Sequence, residues 1–124
     1  MTQSERRRSP RAPERLPLRL SDQGVEWEAE TRNLSAAGLY CTLERFIPPL
    51  SKLQIELQLP GGLRQRRIRC TAVVVRVEPT AADAQQMRYN TALFFSDILE
   101  RDREAISRFV QRRLEATELK KSQR

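Results

Sequence analysis

Six stretches of this chain alternate apolar and polar residues with period two, and no helical pattern separates any of them until the last has ended. They cover residues 15–20, 25–32, 39–43, 53–59, 68–77 and 89–95. Parallel strands need a crossover of roughly a dozen residues or more, usually a helix, so the missing helices exclude βαβ units and a parallel sheet. What remains is an antiparallel sheet joined by hairpins and moderate loops. A chain of 124 residues holds one modest core. The fold expected is all-β: a six-stranded antiparallel barrel, whose closure removes the edge strands, with a helix laid over it at the end.

The individual strands carry their own signals. Leu16, Leu18 and Leu20 share one side of the first, where Pro17 fits only an edge or a strand start. In the second, Val25, Trp27, Ala29 and Thr31 oppose Glu26, Glu28, Glu30 and Arg32, so Trp27 is expected in the core. Leu39, Cys41 and Leu43 point inward in the third, and Leu53, Ile55, Leu57 and Leu59 in the fourth, with Pro48 and Pro49 marking the loop between. Pro60-Gly61-Gly62 is a hairpin signal. Beyond it Ile68, Cys70, Ala72 and Val74 face one way, and residues 73–77 carry valines on both faces, as expected where something covers the outer side. Residues 78–88 read as a loop.

Asp97 followed by Glu100 matches a capping box and predicts a helix opening at Asp97. Leu99, Ile106, Phe109, Val110 and Leu114 form its apolar stripe, for which residues 73–77 are the expected partner. The chain therefore divides into a flexible basic arm (1–14), a barrel with its helix (15–117) and a polar, frayed tail (118–124).

Charge placement narrows the function. The formal net charge is +7, but residues 1–19 hold six arginines against Glu5 and Glu14, whereas residues 20–96 hold nine basic against eight acidic residues. The excess sits on the arm rather than over a folded face, which suits a compact anion better than a nucleic acid. The aromatic residues, 6% of the chain, fall mostly at apolar positions, so a base-stacking surface is not expected. The chain has no histidine, which removes the commonest general base and metal ligand, and no metal is expected. Cys41 and Cys70, far apart and at inward positions, read as reduced core thiols. No apolar run reaches the ~20 residues of a membrane span, and no apolar segment follows the arginines; the expected location is cytoplasmic.

Two motifs remain: Arg6-Arg7-x-x-x-Arg11 in the arm and Asn33-x-Ser35-x-x-Gly38 in the turn between the second and third strands. Guanidinium groups fork hydrogen bonds to phosphate or to guanine O6 and N7, and lie flat on bases. Gly38 supplies either a positive φ or a close backbone approach. In this order, with strands between and a helix after, the motifs resemble the PilZ domain, a bacterial receptor module for cyclic di-GMP. The Pro60-Gly61-Gly62 hairpin and Phe95-Ser96-Asp97 are also similar to the family.

The resemblance implies a non-enzymatic cyclic di-GMP receptor or adaptor with no other cofactor. Arg7 and Arg11 would contact guanine and phosphate, and Arg6 would add a stacking or phosphate contact. Asn33 and Ser35 would meet a guanine edge beside Gly38. Asn33 stands where the family more often has Asp, and its amide oxygen is the weaker acceptor. The last strand lacks the glycine-bearing pattern often found there. The arm would close over the nucleotide at the turn and change the surface shown to a downstream protein partner. The alternatives are a ligand-blind PilZ-like adaptor working through protein contacts and, less favoured, a small basic nucleic-acid-binding barrel.

Overall fold

The computed structural model describes residues 10–61, 63–80 and 87–122. Six strands form β1 (Pro17–Asp22), β2 (Val25–Leu34), β3 (Gly38–Leu43), β4 (Lys52–Leu59), β5 (Arg66–Thr80) and β6 (Arg88–Asp97), followed by helix α1 (Glu100–Ser122). They close into a barrel in the order β1-β2-β3-β6-β5-β4, every neighbouring pair antiparallel. The expected fold class is therefore the observed one.

Period-two alternation fills the interior. Leu18 and Leu20 meet Leu34, Leu39, Cys41 and Leu43, while Leu53, Ile55, Leu57, Ile68, Ala72, Val74 and Phe95 close the other side, all of them buried. Trp27 is only half-buried: it packs against this core under the Arg45 guanidinium, 5.1 Å from the ring centroid. Its strand neighbour Val25 is 49% exposed. The inward face of β2 thus runs out into solvent beyond the end of β3, whose ladder to β2 reaches only Thr31.

Three expectations are corrected. First, residues 78–88 are not all loop: Glu78, Pro79 and Thr80 pair with Asn90, Tyr89 and Arg88, so the β5–β6 ribbon runs on past its apolar part. Second, the helix opens at Glu100, not Asp97. Asp97 is still paired with Thr71 in the sheet, and the Leu99 carbonyl accepts the first helical N–H groups, from Asp102 (2.9 Å) and Arg103 (3.0 Å). The ladder has claimed the residue that would have capped the helix, and Leu99, 55% exposed, leaves the apolar stripe.

Third, α1 does not cover residues 73–77. Alternation already faces Val75 outward, where it is 54% exposed beside Phe94 at 48%, and a bulge between Val74 and Arg76 turns Arg76 outward as well. The helix plugs an open end of the barrel instead, burying Ala105, Ile106, Phe109 and Val110 in the common core with Leu16, Leu34 and Leu59. Polar ties fix it there. Arg66 at the start of β5 donates two bonds to Asp102 Oδ1 (3.1 and 3.0 Å), and Arg113 pairs with Glu14 at 3.3 Å. An unplugged end would leave those leucines wet, at about 25 cal/mol per Å² of apolar surface, whereas the outer face of β5 can stay solvated at less cost.

Pro60-Gly61-Gly62 lies where expected, in the six-residue connection between β4 and β5; Gly62 itself is outside the described residues. No helix among the described residues is long and apolar enough to cross a membrane.

Candidate functional site

The end of β2 gathers the second motif and the last residues before β1. Ala12 exchanges two backbone hydrogen bonds with Leu34, each 2.9 Å, and is fully buried. Thr31 Oγ1, also fully buried, donates to the Glu14 carbonyl and accepts the Leu16 N–H at 2.9 Å. Residues 12–16 are therefore fastened along β2, so the end of the stretch expected to be a flexible arm (1–14) belongs to the barrel. Sequence reasoning passed over Thr31 as one more inward strand position. The signal was there: a hydroxyl on an apolar face needs a buried partner.

This fastening aims Arg11. Its Nη1 donates to Asn33 Oδ1 at 2.7 Å, and its guanidinium lies 5.4 Å from the Tyr40 ring centroid. Partial burial pulls the Arg11 pKa below its ordinary value by desolvation. The structure thus brings Arg11 and Asn33 together, two motif residues 22 positions apart. Arg6 and Arg7, the other two arginines of the motif, lie outside the described residues.

Ser35 and Gly38 build the turn itself. The Ser35 N–H donates to the Gly38 carbonyl at 2.8 Å. The Ser35 hydroxyl accepts the N–H groups of Ala37 and Gly38, both at 3.2 Å, and donates to the Gly38 carbonyl, also at 3.2 Å. The side chain is fully buried, so its hydrogen bonds hold the turn rather than face solvent. Two further carbonyls of the turn are taken too: Ala37 accepts the Phe95 N–H (2.9 Å) and Ala36 accepts Arg103 Nη1 (3.1 Å) from α1.

Gly38 carries no positive φ among the described residues, where Gly24 has that role at 86°. It is a close-approach glycine: a Cβ would lie 2.0 Å from the Leu93 carbonyl oxygen and 3.1 Å from Phe94 Cα. Of the two explanations open from sequence, the second holds.

Beside the turn, the outer face of β3, β6 and β5 forms a concavity of about 290 Å³. Arg11, Tyr40, Arg76, Ala92 and Phe94 are among its walls. Arg76 lies 5.6 Å from the same Tyr40 ring and 3.2 Å from exposed Glu78. Two guanidinium groups, an aromatic face and an amide acceptor thus converge on one shallow site, an arrangement suited to an anion carrying a flat ring. Tyr40 and Arg76 escaped the sequence reading because only the β3–β6–β5 ladder sets them in one row, both opposite Ala92. Among the described residues no group of three or more His, Cys, Asp or Glu could hold a metal ion.

The family model of the PilZ domain matches residues 5–112, spanning both motifs, the barrel and most of α1. This chain belongs to the PilZ family. Similar solved structures include the PilZ domain of Escherichia coli YcgR with c-di-GMP, with 14% identity, 94% of this chain and 98% of that chain covered, and a TM-score of 0.69. Another is Bacillus subtilis MotI/DgrA, an inhibitor of motility (23% identity, 87% and 51% covered, TM-score 0.77). A third is the K. pneumonia MrkH–c-di-GMP complex (18% identity, 94% and 53% covered, TM-score 0.62). At these identities the likeness is one of fold, and this PilZ chain spans about half the length of the MotI and MrkH chains. No curated protein matches it.

Proposed function

We propose that this PilZ domain is a non-enzymatic receptor for cyclic di-GMP, which it holds against the β2–β3 turn and the neighbouring outer face of the barrel. The observation that carries the reading is the Arg11–Asn33 bond beneath the Tyr40 ring, which joins the two motifs of the family at one spot. The YcgR and MrkH structures similar to this chain contain c-di-GMP, which supports the same choice of ligand.

The residues divide the work by chemistry. Arg11 would turn its fork from Asn33 to a phosphate or to guanine O6 and N7, and Asn33, so released, would accept from a guanine edge. Ser35 and Gly38 would act through the shape of the turn, one by filling it with hydrogen bonds and the other by letting β6 come close. A concavity of about 290 Å³ is too small to enclose a whole cyclic dinucleotide. The remainder would need a second wall, the part proposed for Arg6 and Arg7 on the preceding segment, whose closure would alter the surface offered to a partner protein.

Titration calorimetry with cyclic di-GMP tests this. Arg11→Ala should weaken binding by about 10–100-fold, the loss of one charge-assisted contact of roughly 1.5–3 kcal/mol. A wild-type protein that gives no binding heat and no thermal stabilisation with the nucleotide would transfer the assignment to the ligand-blind adaptor.

A further inference from the structure

A second cationic site lies at the plugged end of the barrel, apart from the β2–β3 turn. Between the β4–β5 connection and α1 runs a groove of about 370 Å³, lined by Pro60, Gly61, Arg64, Arg66, Arg108 and Arg112. It adjoins a concavity of about 350 Å³ that shares Pro60, Gly61 and Arg112 and adds Phe109 and Arg113. Five guanidinium groups thus surround one short turn. Two are answered from within the chain, Arg66 by Asp102 and Arg113 by Glu14. Arg64, Arg108 and Arg112 have no acid within salt-bridge distance among the described residues, and all three are exposed.

We infer that this groove docks an acidic segment of a partner protein. Three observations favour carboxylates over a nucleic-acid backbone. The groove's own arginines already hold carboxylates, Arg66 placing Nε and Nη2 on one oxygen of Asp102. No exposed aromatic ring lines either concavity to stack a base: Phe109 is 4% exposed and lies under Arg113. The walls also mix guanidinium with apolar surface from Pro60, which a phosphate backbone would not match. Spacing adds a constraint. Arg108 and Arg112 stand one helical turn apart, about 5–6 Å between Cβ atoms, close to the roughly 6.7 Å between alternate side chains of an extended segment. A segment with acidic residues at alternate positions would set successive carboxylates on successive arginines, with Arg64 facing them from the other wall.

A fluorescein-labelled peptide of alternating glutamate and serine is the probe, titrated at low salt and followed by fluorescence anisotropy. Arg108→Gln/Arg112→Gln should weaken binding at least 10-fold. Arg67→Gln/Arg69→Gln, which removes the same formal charge from the outer face of β5, should change it less than 2-fold. Equal losses in the two double variants would reduce the effect to net charge and overturn the proposal. So would a DNA duplex that binds more tightly than the peptide with the same dependence on Arg108 and Arg112. All four positions are exposed, so both variants should fold, which circular dichroism checks. The probe contains no nucleotide, so neither the success nor the failure of cyclic di-GMP binding bears on the outcome.

Discussion

Replacing Gly38 separates two physical reasons for a glycine. A new Cβ there would stand 2.0 Å from the Leu93 oxygen and 3.0 Å from its carbonyl carbon, both backbone atoms. No rotamer relieves a backbone contact, so β3 and β6 would have to part by about 1 Å where the ladder pairs Leu39 with Leu93 and Gly38 with Phe94. Overpacking typically costs about 1–3 kcal/mol, and strain passed into a ladder belongs at the upper end. With about 3 kcal/mol lost, a domain of this size should melt roughly 10 °C lower. Gly38→Ala, followed by differential scanning calorimetry, gives the magnitude, and Gly38→Asn gives the cause. Asparagine tolerates a positive φ, so it would rescue a conformational glycine, but here it brings the same Cβ and a larger side chain and should do no better than alanine. Gly24 is the internal contrast. Its φ is 86° and nothing lies within 4 Å of an added Cβ, so Gly24→Asn should be milder than Gly24→Ala, itself worth only about 1–2 kcal/mol. A Gly38→Ala protein melting within about 2 °C of the parent, or a Gly38→Asn protein more stable than Gly38→Ala, would refute the close-approach argument.

Thr31→Val keeps the shape of a fully buried residue but strands the Glu14 carbonyl and the Leu16 N–H. Urea unfolding should show a loss of about 2–4 kcal/mol, with faster hydrogen exchange at Leu16. Arg103→Ala removes the bond from α1 to the Ala36 carbonyl; stability should fall by about 1 kcal/mol, and any weakening of nucleotide binding would show that the helix supports the turn. Burial pushes the Cys41 thiol up to about 12. Cys70 is also raised to about 12, by burial first and then by the Asp102 and Asp97 carboxylates. Neither should react with Ellman's reagent in the native protein at pH 8. Because the folded state holds these protons more tightly than the unfolded chain, stability is intact below about pH 8.5 and should decline as pH rises from there towards 12, read as a melting temperature of the parent that falls relative to that of Cys41→Ser/Cys70→Ser.

How far the site was legible depended on sequence separation. The Asn33–Gly38 turn is local, and its residue types declare its chemistry: a hydroxyl that can bridge two N–H groups, and a glycine before a strand. Arg11 was legible as a cation and as part of a motif, but its aim depends on Thr31 holding Glu14 and Leu16, and on the Ala12–Leu34 exchange. Tyr40 and Arg76 were not legible at all: a strand pattern does not say which strand lies beside a residue, and the bulge after Val74 faces Arg76 outward where alternation would have turned it in.

The sequence by itself determined an antiparallel barrel with its inward residues, the presence of a terminal amphipathic helix, and the paired motifs. These follow from period and local chemistry, which need no knowledge of distant neighbours. Tertiary structure alone decided that the helix plugs the barrel end, that Val75 stays uncovered in solvent, that Asp97 stays in the ladder, and that Gly38 is a matter of space rather than φ. Each of those is a competition between non-local partners, and such a competition is settled by three-dimensional packing, where the backbones of β3 and β6 meet and where an open barrel end exposes more apolar surface than a solvated sheet face.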